Sequence, residues 1–323
     1  MFQFEKMVLK YVFGPVPSRR LGRSLGVNNL PSKICTYSCI YCQAGRTLFL
    51  RTERKPYSEP EKVAEEVSAA VEKLGGEIDY ITFVPNGEPT LDLNIGKSAS
   101  MIKQKVEVPL AILTNSSLLS DRSVREDLMV FDLVSLKVDS VVENTWRKIN
   151  RPHKSLELQK ILNGILEFSD SYSGVLLTET MLIEGVNSCE EEYLGVADFL
   201  LKLNVERAYV AVPTRPPAEP WVKPASEEEL IKAYFIFKRK LTCSIELLTG
   251  KERGEFISLE NPIESLLSIT SVHPMRLKDA YRMLSREGDP SRILNELELR
   301  GEVKVVEYGG EKFVIRALKA SLK

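Results

Sequence analysis

Cys35-Thr36-Tyr37-Ser38-Cys39-Ile40-Tyr41-Cys42 sets three thiols at C-x3-C-x2-C spacing. Cysteines so spaced can hold three corners of a [4Fe-4S] cube and leave the fourth iron open. A cluster that only carries electrons normally has four cysteine ligands, whereas an open iron can chelate a substrate or cofactor and act on it. The other cysteines, Cys189 and Cys243, are single and far away in sequence. Zinc uses similar spacings but takes a fourth ligand, and the two histidines, His153 and His273, are both distant. Three unrelated cysteines are the remaining reading.

With Tyr41 immediately before its last cysteine, the motif resembles the signature of the radical S-adenosylmethionine (SAM) enzymes. That resemblance implies that Cys35, Cys39 and Cys42 ligate the cluster, with Tyr41 beside the cofactor. It further implies that SAM chelates the open iron through its amino and carboxylate groups. An electron from the cluster then splits the sulfonium to give a 5′-deoxyadenosyl radical, and an external donor of flavodoxin or ferredoxin type supplies that electron.

Asn86-Gly87-Glu88-Pro89-Thr90 follows an apolar, β-branched run at 80–84 that reads as a buried strand. Gly87 permits close backbone approach, and Pro89 biases Glu88 toward an extended conformation. The stretch resembles the Gly-Gly-Glu element that binds the amino group of SAM in the family, with Asn86 in place of the first glycine. A plain turn after a strand is the other reading. At 134–139 side chains alternate, so Ser135, Lys137 and Asp139 share one face. By resemblance, Ser135 and Asp139 serve the ribose or carboxylate of SAM; alternatively Lys137 and Asp139 form a structural ion pair. Asn115 ends the preceding strand as a cofactor contact or a turn. Ile183 and Gly185 match the positions that frame adenine in the family's fifth-strand motif.

Strand patterns at 24–30, 80–84, 110–114, 134–139, 174–183 and 207–212 alternate with helical ones. The first helix carries Val63, Val67, Ala70, Val71 and Leu74 on one face, between a capping-box form at Ser58-Glu59-Pro60-Glu61 and Gly75-Gly76. A weaker helix is expected at 94–105, and others at 154–168, 190–203 and 227–240. Such alternation predicts an α/β fold with a parallel sheet, open or curled. Its six units are fewer than the eight of a closed barrel; a partial (βα)6 TIM-type barrel is what the resemblance implies. Beyond residue 255 the pattern changes to three helices, beginning at Asn261-Pro262, Leu277 and Asp289-Pro290, and a hairpin turning at Gly309-Gly310. These resemble a winged-helix domain, giving expected domains of 1–255 and 256–323.

At 323 residues and 43% hydrophobic, the chain can bury a large core and a second, smaller one. Glu5 and Lys6 stand where a signal peptide needs an apolar run, and no stretch is long enough for a transmembrane helix. Clustered cysteines suit a reducing compartment, so a cytoplasmic protein without a membrane partner is expected. Residues 1–55 hold ten Lys or Arg and two acidic residues, a net of +8, leaving −9 for the rest. That excess suits a cluster and a phosphorylated substrate, or is a solvated surface. Residues 258–323 carry eleven basic and ten acidic groups, poor support for sequence-independent phosphate binding.

Three further stretches, 14–22, 148–153 and 213–217, resemble a radical SAM group related in sequence to the wyosine-forming tRNA enzymes. Within them His153 and Arg215 lie on loops and are candidates for substrate contact. The expected reaction is hydrogen abstraction from an RNA base, with peptide or protein modification or glycyl-radical activation as alternatives. A redox-sensing winged-helix regulator is the non-enzymatic rival.

Overall fold

The computed structural model describes residues 9–75, 77–250, 254–259 and 261–317. Gly76 of the expected helix stop, and the Glu5 and Lys6 of the amino terminus, lie outside the described residues. The chain opens with strands β1 (Val12–Ser18) and β2 (Gly22–Val27), then the short pair β3 (Ile34–Cys35) and β4 (Phe49–Leu50) that brackets the cysteine loop. Next come α1 (Pro60–Lys73), β5 (Tyr80–Phe83), α2 (Ile95–Lys103), β6 (Leu110–Thr114), α3 (Arg122–Leu128) and β7 (Leu133–Lys137). They are followed by α4 (Glu143–Asn150), α5 (Leu158–Ser171), β8 (Val175–Met181), α6 (Glu190–Leu200), β9 (Arg207–Ala211), α7 (Glu227–Lys240) and β10 (Ser244–Leu248).

The main sheet runs β1-β2-β5-β6-β7-β8-β9-β10, with every neighbouring pair from β2 to β10 parallel and β1 antiparallel to β2. A doubly wound sheet reverses its strand order partway; this one never does. Right-handed crossovers in one unbroken direction leave the helices on a single face. That face packs into the large core around Val67, Ile81, Ile95, Ile112, Ile165 and Phe237. On the opposite face a smaller set, including Leu21, Leu133, Leu177 and Tyr209, fills the interior.

Two strands of the main sheet escaped the sequence reading, as did the two-residue strands β3 and β4. β1 contains Gly14, Pro15 and Pro17, which read as a loop; as an edge strand it tolerates prolines that cannot donate to a ladder. β10 is a five-residue strand on the other edge. Ser58 does not cap α1. Glu59 is the N-cap, Pro60 opens the helix, and the Ser58 hydroxyl donates to Asp92 instead. Ser226 does cap α7, accepting from Glu229 N at 3.2 Å, and that helix places three glutamates in its first turn and Lys238, Arg239 and Lys240 in its last, as the helix dipole favours.

The carboxyl-terminal elements are α8 (Pro262–Val272), β11 (Met275–Arg276), α9 (Leu277–Leu284), α10 (Pro290–Leu299), β12 (Val303–Tyr308) and β13 (Glu311–Arg316). Their strands form a separate sheet in the order β11-β13-β12. Leu266, Ile269, Met275, Leu284, Leu294 and Val314 make its core, and Phe13 and Val16 of β1 belong to the same cluster. Ile257 N donates to Pro15 O at 3.2 Å across this junction.

Candidate functional site

The carboxyl ends of β5 to β9 and the cysteine loop surround a cavity of about 260 Å³. Cys35, Cys39 and Cys42 all reach its wall, as do Tyr41, Gly87, Glu88, Asn115 and Ser135. The loop is held by backbone bonds to the 148–153 stretch. Ser38 N donates to Asn150 O at 3.0 Å, Ile40 N to Ile149 O at 3.0 Å, and His153 N to Thr36 O at 2.9 Å. That stretch is therefore the clamp of the cysteine loop. The His153 ring points elsewhere, with Nδ1 2.8 Å from the Ser155 hydroxyl.

Each sulfur has a donor beside it. Lys33 Nζ donates to Cys42 Sγ at 3.0 Å, Asn150 Nδ2 to Cys39 Sγ at 3.4 Å, and Asn115 Nδ2 to Cys35 Sγ at 3.5 Å. Burial pushes the Cys35 thiol up to about 11 and Cys39 further still. Burial acts on Cys42 in the same sense, but the Lys33 ammonium outweighs it and leaves that thiol below its ordinary value. Thiolate ligands in so dry a wall need this kind of compensation.

Gly87 is where the two motifs meet. A Cβ there would be driven into the Ile34 carbonyl oxygen, with Leu30 Cδ1 only 2.8 Å away. Glu88 N donates to the same carbonyl at 3.1 Å. The Glu88 carboxylate is buried, with Oε1 accepting from Thr114 Oγ1 at 2.6 Å and Thr90 Oγ1 at 2.7 Å, and Oε2 from Asn115 N at 2.8 Å. Burial raises its pKa, and these donors only partly offset that. Pro89 opens a 3-10 turn, Pro89–Leu91, behind the wall. Asn86 is 5% exposed and lines the cavity, yet among the described residues its Oδ1 has no hydrogen-bond partner. An orphaned buried acceptor costs on the order of 1–3 kcal/mol unless a ligand donor meets it.

Asp139 is placed off the cavity wall. Its Oδ2 is engaged by Tyr41 Oη and, at 2.7 Å, by Asn150 Nδ2; its Oδ1 accepts from Met181 N at 2.9 Å. The carboxylate thus braces Tyr41 and the amide that donates to Cys39. Lys137 pairs with Glu179 at 2.5 Å rather than with Asp139. Ile183 is buried against Ile40, Tyr41 and Val222, behind the loop, and Gly185 is a left-handed turn residue at φ 65°. Neither lines the cavity. Arg215 does, and donates to Gln43 Oε1 at 2.7 Å.

Glu179 was not singled out from sequence; Lys33 entered only as a member of the basic 1–55 segment, Arg20 there and within the 14–22 stretch, and Asn150 only within the 148–153 stretch, none with a role of its own. Lys33 had one usable signal, a lysine two residues before the first cysteine. The others come from distant segments joined only by the fold.

Residues 29–200 match the Radical SAM superfamily. The chain belongs to that superfamily. It is 45% identical over 310 residues to UPF0026 protein MJ1312 of Methanocaldococcus jannaschii, covering 95% of this chain and 96% of that one. Among solved radical SAM structures it resembles Streptococcus suis SuiB bound to S-adenosylmethionine, with a TM-score of 0.51, 15% identity and 70% of this chain covered. It spans about half of SuiB, 49%. TYW1 with a lysine-pyruvate adduct gives a TM-score of 0.51 at 18% identity, covering 68% of this chain and 74% of that one. Both likenesses are of fold.

Radical SAM proteins use a [4Fe-4S] cluster and S-adenosylmethionine, and this chain is an enzyme of that superfamily. The residues present fit both groups. Three cavity-facing thiols, each with a donor at its sulfur, suit cluster thiolates, whose potentials depend on such bonds. The unpartnered Asn86 oxygen suits a ligand carrying N–H donors. Among the described residues, no helix is long and apolar enough to cross a membrane.

Proposed function

We propose that this enzyme reductively cleaves S-adenosylmethionine and abstracts a hydrogen atom from a substrate held in the cavity. The observation that carries the reading is that three cysteines open onto one cavity whose Asn86-Gly87-Glu88 wall is pressed, at Gly87, against Ile34 directly before the first cysteine. Cys35, Cys39 and Cys42 hold the cluster; Gly87 and Glu88 offer backbone groups, and Asn86 a side-chain oxygen, to the amino end of SAM. Tyr41, Asn115 and Ser135 line the same space, while Pro89, Asp139, Ile183 and Gly185 support it from behind. Once bound, the two groups supply one-electron cleavage of the sulfonium and a carbon radical. The chain's own part is to orient, to exclude water and to place charge at the sulfurs through Lys33.

Six strand–helix units running from β2 to α7 support a partial (βα)6 barrel, with residues 256–323 as a winged-helix-like domain that docks substrate or partner. The protein is cytoplasmic in this reading and takes its electron from an external flavodoxin or ferredoxin. An RNA base is the preferred substrate, supported by the +8 of residues 1–55 and by resemblance to the wyosine-forming enzymes. Peptide modification is second, since the structurally similar SuiB is known bound to precursor peptide SuiA.

Anaerobically reconstituted, reduced protein is expected to convert SAM to 5′-deoxyadenosine, slowly without substrate, as measured by chromatography. If SAM neither perturbs the cluster spectrum nor is cleaved, the reading fails and the redox-regulator alternative takes its place. Comparing modified nucleosides between a deletion strain and its parent tests the RNA assignment.

A further inference from the structure

The cavity has a charged floor that cluster ligation leaves unused. Ser135 and Lys137 of β7, Glu179 of β8, and Arg20 from the β1–β2 turn all line it. Glu179 is shared: Oε1 accepts from Lys137 Nζ at 2.5 Å and Oε2 pairs with Arg20. The three side chains are only 22%, 20% and 10% exposed for Arg20, Lys137 and Glu179. Beneath them lies the apolar set of Leu21, Leu133, Leu177 and Tyr209, which keeps the floor in a low-dielectric setting where charge pairing is strong.

The floor has more donors than acceptors. A guanidinium brings five N–H groups and an ammonium three, while one carboxylate offers about four acceptor sites. The Ser135 hydroxyl lines the cavity and has no hydrogen-bond partner among the described residues. Two cations pair with one carboxylate; Asp139 also acts on Lys137 through space but is taken up by Tyr41, Asn150 and Met181 N, and the other carboxylate among the described residues of the cavity wall, Glu88, is occupied by Thr90, Thr114 and Asn115.

We infer that Arg20, Lys137 and Ser135, the last expected from sequence to serve SAM, form a binding site for a carboxylate or phosphate group of the molecule whose hydrogen is abstracted. Glu179 holds the two cations in place and competes with the incoming anion. The assignment of that anion to the substrate rests on the reading above; the binding itself does not require a cluster or SAM.

Full-length protein is titrated by calorimetry with inorganic phosphate and, separately, with acetate. At least one is expected to bind, phosphate alone marking a phosphorylated substrate and acetate alone a carboxylic acid. Arg20→Gln is expected to weaken binding about tenfold or more, since it removes one of the buried charge partners. Glu179→Gln is expected to strengthen it several-fold, because the competing carboxylate becomes a neutral amide. Ser135→Ala, a small change, gives a milder loss, and thermal melts check that each variant is folded. Opposite signs for Arg20→Gln and Glu179→Gln support the site; wild-type protein binding neither anion, or both variants shifting in one direction, overturns it. SAM cleavage is assayed on the same preparations. Cleavage without anion binding sinks this inference alone, whereas anion binding without cleavage sinks the catalytic reading and leaves the floor as an anion site of another function.

Discussion

Cys39→Ala is expected to leave the protein without iron. Reconstituted wild type should carry about four irons and four sulfides per chain, and the variant close to none, with 5′-deoxyadenosine falling to background. The Cys39 sulfur is met from outside the loop by Asn150 Nδ2 at 3.4 Å, itself held by Asp139 at 2.7 Å. Two remaining thiols cannot hold three corners of a cube. Cys243→Ala, remote from the cavity wall, should keep full iron content. Iron and sulfide analysis after anaerobic reconstitution reads both variants. A Cys39→Ala protein with undiminished iron, or a wild type that takes up one zinc and no iron, would be incompatible with the proposed ligands.

Gly87→Ala is expected to have the next largest effect, through backbone sterics and without touching a ligand. The new methyl group would collide with the Ile34 carbonyl, one residue before Cys35. Main chain on both sides must yield, and overpacking of this kind costs about 1–3 kcal/mol and occasionally more. The displacement also strains the Glu88 N to Ile34 O bond at 3.1 Å, so the cysteine loop shifts relative to β5. The expected result is a lowered denaturation midpoint in the cluster-free protein together with poor cluster retention. Unchanged stability and full iron would mean that the loop does not lean on Gly87.

Much of this site was legible because its chemistry is local. Cys35, Cys39 and Cys42 lie within eight residues, and a Gly-Glu-Pro after a strand is a short pattern. Five of the nine cofactor positions read from sequence, Tyr41, Gly87, Glu88, Asn115 and Ser135, reach the cavity wall. Asp139 did not, and the reason is physical: alternation along β7 gives the face of a side chain but not its partners, and this carboxylate is taken up by Tyr41 and Asn150. Arg20 could not be read as interior because it follows Pro15 and Pro17 in what looks like a loop, and only the pairing of β1 with β2 brings its turn to the sheet. Strand order was equally out of reach, since alternating strands and helices fit both a doubly wound sheet and the sequential one observed.

Phe13 and Val16 point to a property of the whole chain. They sit on the first strand of the main sheet, yet they are members of the hydrophobic cluster built by 262–317. Two cores that share a strand cannot lose their packing one at a time: melting the carboxyl-terminal elements would bare Phe13 and Val16 to water, at about 1.5–3 kcal/mol for each large side chain. Heat should therefore disrupt both in one cooperative transition, with calorimetric and van't Hoff enthalpies in agreement. Shortening the protein to its first 255 residues would then expose a greasy edge rather than free a finished catalytic unit.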